Sequence, residues 1–151
     1  MHSNDYDELL MRVEDNLSEQ GLNPVISDTV PLRENSQLDG VTFIKGKNAF
    51  IFIDKNLSRF DKAKTLVEEY FHAISDLGNH LDYDAVRAHN DEVDARESVI
   101  GYLTDEDQIL RLARKYEDQV FGAWVLVEDL GYPDDFAEET IDYYRSKGII
   151  R

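Results

Sequence analysis

The chain has 151 residues, 42% of them hydrophobic, enough to bury the core of one domain. Lys and Arg number 16 against 32 Asp and Glu, a formal charge of -16. That balance argues against binding to a phosphate backbone, which needs clustered cations, and disfavours anionic membrane surfaces. The absence of cysteine excludes disulfides, thiolate nucleophiles and cysteine-ligated zinc, and is compatible with a reducing cytoplasm.

The N-terminus, MHSNDYDELL, is acidic and lacks the apolar core of a signal segment. From Asp5 to Glu19, Tyr6, Leu9, Leu10, Val13 and Leu17 recur at helical spacing, and Gly21 stops the helix. The stretch 23–40 carries Pro24 and Pro31 among scattered polar residues and reads as an extended connection. Val41–Ile44 and Ala49–Ile53 are β-rich and flank KGKN, which predicts a hairpin supplying most of the sheet. A long helix follows from about Arg59 to Leu77. Ser58 is placed to cap it, Asp61 lies three residues on, and Gly78 ends it.

Further helices are predicted from about Arg87 to Tyr102 and, capped by Thr104 with Asp107, through Lys115. Val120–Leu130 is a nearly continuous apolar helix, hence buried, closed by Gly131. Pro133 opens a last amphipathic helix whose Phe136, Ile141 and Tyr144 point inward; the Tyr143–Tyr144 pair is either part of that packing or an interface. The longest apolar runs, 49–53 and 120–127, are too short to span a bilayer. The predicted class is α+β: a short helix, a small antiparallel sheet, then a run of helices.

The chemistry-bearing stretch is LVEEYFH, residues 66–72. Glu68 and His72 are four apart and project from one face of a helix. Two ligands held in that way can grip one ion. Glu69, about 100° round the helix from Glu68, is placed to take a proton from a water acidified by that ion. The arrangement is that of H-E-x-x-H with glutamate at the first position. Zinc accepts carboxylate oxygen, and the harder donor set also suits manganese or iron. Taken alone, such a spacing more often describes a solvated acidic helix face with one histidine. A third ligand is required, and His80, His89, Asp91, Glu92 and Asp94 all follow closely.

Several segments in order resemble the ImmA/IrrE family of zinc-dependent endopeptidases. YDELL resembles the first helix of its compact mobile-element members. AFIFIDKNLSRFDKAKTLVEEYFHAI resembles their strand, turn and active-site helix. DEVDARESVIGYL resembles the helix bearing the third ligand, and LGYPDDFAEETIDYYRSKG their terminal segment. Position by position, His72 matches the second histidine ligand, Glu69 the catalytic base, and Glu92, with Ala95 three residues on, the third ligand. Glu68 stands where many members have histidine, although phage-type relatives often carry E-E-x-x-H. Phe71 replaces the glycine that usually precedes the second histidine.

The resemblance implies a zincin-like fold in a single metallopeptidase-like domain, 1–151, with a core over 1–103 and a helical C-terminal part over 104–151. It implies a zinc ion (or Mn²⁺ or Fe²⁺) held by Glu68, His72 and Glu92, with Glu69 as base. In such a peptidase Tyr83 or Tyr102 is a candidate to polarise the scissile carbonyl, and the sequence does not choose between them. The implied substrate is a cognate DNA-binding repressor of a phage or mobile element, cleaved in the cytoplasm with no direct nucleic-acid contact. The alternative is a non-catalytic antirepressor that holds the repressor on the same scaffold.

Overall fold

The computed structural model describes residues 3–78 and 96–151, with side chains from 5 to 75 and 96 to 151. The chain divides into two compact units, 2–95 and 96–151.

The first unit opens with helix α1, Ser3–Glu19. Its Tyr6, Leu9, Val13 and Leu17 are buried, as their spacing predicts. Gly21 adopts a left-handed φ of 84°, and the Leu22 N–H closes back on the Leu17 carbonyl at 3.0 Å, ending the helix. Strand β1, Asn23–Val30, the short helix α2, Leu32–Ser36, strand β2, Gly40–Lys45, and strand β3, Asn48–Asp54, follow. Helix α3 runs from Arg59 to Gly78. The Ser58 hydroxyl accepts the Asp61 N–H at 3.1 Å, the predicted cap.

The three strands lie in the order β1-β3-β2. β2 and β3 form the predicted antiparallel hairpin, with Phe43 opposite Phe50 and Val41 opposite Phe52. β1 joins the other side of β3 in parallel, Val25 beside Phe50. The sheet is therefore mixed, and the expectations of an antiparallel sheet and of an extended connection over 23–40 are both corrected. Pro24 is tolerated because β1 is an edge strand of the described sheet, where a missing N–H leaves no described ladder bond unmade. The parallel pairing is non-local and leaves no mark in local periodicity.

Alternation along β3 sends Ala49, Ile51 and Ile53 to the side where α1 and α3 pack; all three are fully buried. Asp54, at the strand's end, is also buried. Its carboxylate accepts the Arg33 N–H of α2 at 3.0 Å and the Asn56 N–H at 3.2 Å, which satisfies both oxygens.

The second unit begins with helix α4, described over 96–103; the remainder of the helix predicted from Arg87 lies outside the described residues. Helix α5 spans Glu106–Lys115, and its cap is Asp105, whose carboxylate accepts the Asp107 N–H at 3.0 Å. Thr104, the predicted cap, is buried instead. Its hydroxyl bonds the Ile100 carbonyl at 2.7 Å and the Tyr144 hydroxyl at 2.6 Å. Helix α6 is shorter than predicted, Ala123–Leu130, because Gly122 takes an extended conformation; Val120 lies outside it, 84% exposed. Gly131 ends it with a left-handed φ of 71°. Helix α7, Asp134–Ser146, follows Pro133 and buries Phe136, Ile141 and Tyr144 as expected. Ile109, Leu126, Ala137, Ile141, Tyr144 and Ile150 form this unit's core. Among the described residues no helix is long and apolar enough to cross a membrane.

Candidate functional site

α3 carries the site, and its sequence dictates its two faces. Ala63, Leu66, Val67, Tyr70 and Ala73 recur at three- and four-residue intervals and are buried. Glu68 and His72 fall on the opposite side and are exposed; Glu69 lies between the two environments and is half-buried. At about 100° per residue, His72 sits about 40° from Glu68 and about 60° from Glu69, so the three share one sector of the helix.

β2 runs alongside that sector. The Thr42 hydroxyl lies against the Glu69 carboxylate Oε2 and also 3.2 Å from the Glu69 carbonyl oxygen. It has a single proton, and the charged carboxylate is the closer and stronger acceptor. Two residues earlier on the same side of the strand, Gly40 leaves room for the glutamate. A Cβ there would meet Glu69 Cγ at 3.0 Å and Thr65 Cγ2 at 2.6 Å. The absence of a side chain at position 40 and the hydroxyl at position 42 thus fix where the Glu69 carboxylate lies.

Glu68 is held differently. Although the residue reaches solvent, partial burial of its carboxyl raises its proton affinity above the usual carboxylate range. The Glu69 and Asp39 charges push the same way, opposed by Lys64 and His72. Asp39 stands just before β2 and pairs with Arg33 at 3.2 Å. Neither the Glu68 nor the His72 side chain makes a hydrogen bond or salt bridge with another described residue. Their donor atoms are available, and a carboxylate and an imidazole one turn apart suit two positions of a zinc, manganese or iron site.

Glu92, expected as the third ligand, lies outside the described residues, as do His80, Tyr83, His89, Asp91 and Asp94. Among the described residues, no group of three or more His, Asp or Glu side chains is arranged to hold a metal ion. Tyr102 falls on α4, in the second unit. The structure adds Gly40, Thr42 and Asp39, which the sequence reading did not single out. The only local signal was the alternation of GVTFIK, which puts Gly40 and Thr42 on one side of a strand but does not say which helix they meet. No protein-family model, curated protein or solved structure matches the chain.

Proposed function

We propose that the chain is a metal-dependent endopeptidase of the zincin-like, ImmA/IrrE type, acting in the cytoplasm on a DNA-binding repressor of a phage or mobile element. The observation that carries this reading is the division of labour on α3. Glu68 and His72 present unengaged donor atoms on one face, while Glu69 beside them is anchored from a second element. A solvated acidic face needs no such anchor. The ordered resemblance of 49–74, 91–103 and 130–148 to that family supports the same assignment.

Glu68 and His72, with Glu92, would hold the ion, which when bound supplies Lewis-acid polarisation and an acidified water. Glu69 is the base. Thr42 restrains its carboxylate through one oxygen and leaves the other, Oε1, to take a proton. β2 is an edge of the described sheet, so its outer row of backbone groups can take an extended peptide beside Glu69. The formal charge of -16 suits recognition of a basic DNA-binding protein.

The test is metal analysis of the purified chain together with cleavage of a candidate helix-turn-helix repressor, sought among the products of the adjacent genes. The expected result is stoichiometric metal in the parent, lost in His72→Ala, and cleavage lost in both His72→Ala and Glu69→Gln. A removed general base should cost about 10²–10⁴-fold in rate. Undiminished cleavage by Glu69→Gln would eliminate it as the base.

A second reading draws on the same contact. Because Thr42 already engages the Glu69 carboxylate, a non-catalytic antirepressor that only holds its partner also fits. Relief of repression with no fragments formed, unaffected by chelator, would establish that alternative.

A further inference from the structure

The sequence contains one Asp–Gly pair, Asp39–Gly40, and no Asn–Gly pair. It stands where the segment after α2 becomes β2. Asp39 belongs to no helix or strand, and its side chain is 56% exposed. Its ion pair is with an Arg33 side chain that is 63% exposed, a kind that holds its partners weakly. An aspartate before glycine can close a five-membered ring on itself. The backbone nitrogen of the next residue attacks the side-chain carboxyl carbon, and a glycine, with no Cβ, leaves that nitrogen unshielded.

The ladder leaves this reaction open in two ways. Gly40 opposes Ile53, and the Asp54 N–H donates to the Asp39 carbonyl at 2.8 Å. That pattern makes Gly40 and Ile53 a non-hydrogen-bonded pair, so the Gly40 N–H points away from β3 and holds no bond to it. Gly40 is also the first residue of β2, and the ends of strands open at small cost in free energy.

We propose that Asp39–Gly40 is a site of spontaneous isoaspartate formation, and that its conversion releases the Glu69 carboxylate from β2. In the first step the Gly40 nitrogen bonds to Asp39 Cγ, and the hydroxyl of the carboxyl, in its acid form, leaves with the amide proton as water. In the second, water adds to one of the two ring carbonyls and the C–N bond at that carbon breaks. Opening at Cγ restores aspartate. Opening at the Asp39 main-chain carbonyl leaves Gly40 joined through Cβ and Cγ, and the old carbonyl becomes a free carboxylate. Mass is unchanged, while the main chain is longer by one carbon. The Asp54 N–H thereby loses its main-chain acceptor. Gly40 already lies so close to α3 that even a Cβ would meet Thr65 Cγ2 at 2.6 Å and Glu69 Cγ at 3.0 Å. The added length is therefore taken up away from α3, and Thr42, two residues on, moves off the Glu69 carboxylate with it. None of this depends on the chain being a peptidase.

The experiment ages the purified full chain at neutral pH and physiological temperature and follows the tryptic peptide from Glu34 to Lys45, in which Asp39 is the sole aspartate. The expected result is a second form of that peptide with the same mass, separated by chromatography and identified as isoaspartyl at position 39 by electron-transfer fragmentation. Deamidation of Asn35 in the same peptide changes the mass and is told apart by it. Because a strand end opens readily, the rate should lie within about tenfold of that in the free 34–45 peptide. Asp39→Glu keeps the charge but would need a six-membered ring, and should form no isomer. Amides of β2 should exchange faster in the isoaspartyl fraction of the aged chain than in the unconverted fraction. No isomer in the folded chain, or one slowed to the rate that global unfolding alone allows, overturns the proposal. So does an isomer that forms equally in Asp39→Glu, or one whose β2 amides exchange as in the unconverted fraction.

Discussion

The Thr42 hydroxyl on β2 donates to the Glu69 carboxylate on α3, joining residues 27 apart in sequence across the sheet–helix boundary. A part-buried bond to a charged acceptor contributes about 1–2 kcal/mol. Thr42→Val, which keeps the shape and removes the donor, should lower unfolding stability by about that much, and Thr42→Ser should restore most of it. A double-mutant cycle with Glu69→Gln in urea denaturation isolates the pair. Additive single effects would mean that the two groups do not interact in solution.

Gly40 gives a second, steric handle on the same carboxylate. In Gly40→Ala the new methyl would sit 2.6 Å from Thr65 Cγ2 and 3.0 Å from Glu69 Cγ, and Thr65 is buried with little room to yield. Overpacking of this kind costs about 1–3 kcal/mol. Thermal unfolding should report the loss. If the peptidase reading holds, repressor cleavage should fall further than the stability change explains, because Glu69 is displaced. A variant as stable as the parent would show that the strand moves away freely.

The alkaline limit of the first unit is tied to Tyr6. Burial, then the nearby Asp28 carboxylate that accepts its hydroxyl at 3.1 Å, raise the Tyr6 hydroxyl well above its ordinary value near 10. The folded state therefore holds this proton more tightly than the unfolded chain does. The associated stability is fully present below pH 10 and is lost as pH rises toward the folded-state value. Tyr6→Phe should reduce stability at neutral pH by about 1 kcal/mol and flatten the alkaline decline. Denaturation midpoints of parent and variant at neutral and alkaline pH provide the check; parallel curves would contradict the assignment.

Glu68 has the same sign in the acid range when no metal is bound. Its carboxyl is held above the ordinary 4.5 by burial, with Glu69 and Asp39 adding to it. Protonation of Glu68 thus favours the fold: this contribution is complete below pH 4.5 and disappears as pH rises through the folded-state value. In chelator, Glu68→Gln should remove this pH dependence while changing stability by no more than about 0.5 kcal/mol, because the side chain is solvent-screened. Added zinc should stabilise the parent and not the variant, and less so as pH falls and protons compete for the carboxylate. Equal zinc stabilisation of both proteins would take Glu68 out of the ligand set.

Much of this architecture is legible in the sequence because it depends on local periodicity. The burial of Tyr6, Leu9, Val13 and Leu17, the Ser58 cap, the hairpin around KGKN and the Gly131 stop all follow from spacing and turn chemistry. β1 was missed because its parallel partner, β3, lies beyond α2 and β2, and Ser27, Asp28 and Thr29 interrupt its apolar pattern. Thr104 looked like a cap because it precedes Asp107, yet its hydroxyl is drawn to Tyr144, 40 residues away. The site divides in the same manner. Glu68, Glu69 and His72 share a helix sector by arithmetic, whereas the pairing of Glu69 with Gly40 and Thr42 depends on how a strand crosses that helix.

The anchoring of Glu69 by a strand has a consequence for motion. β2 has six residues and, among the described residues, its ladder is paired on one side only, to β3. Short edge pairings open at lower free energy than the core does. The placement of the Glu69 carboxylate is therefore only as durable as the hairpin. Amide exchange of β2 should mark the moments when α3 is still wound and the glutamate is no longer held.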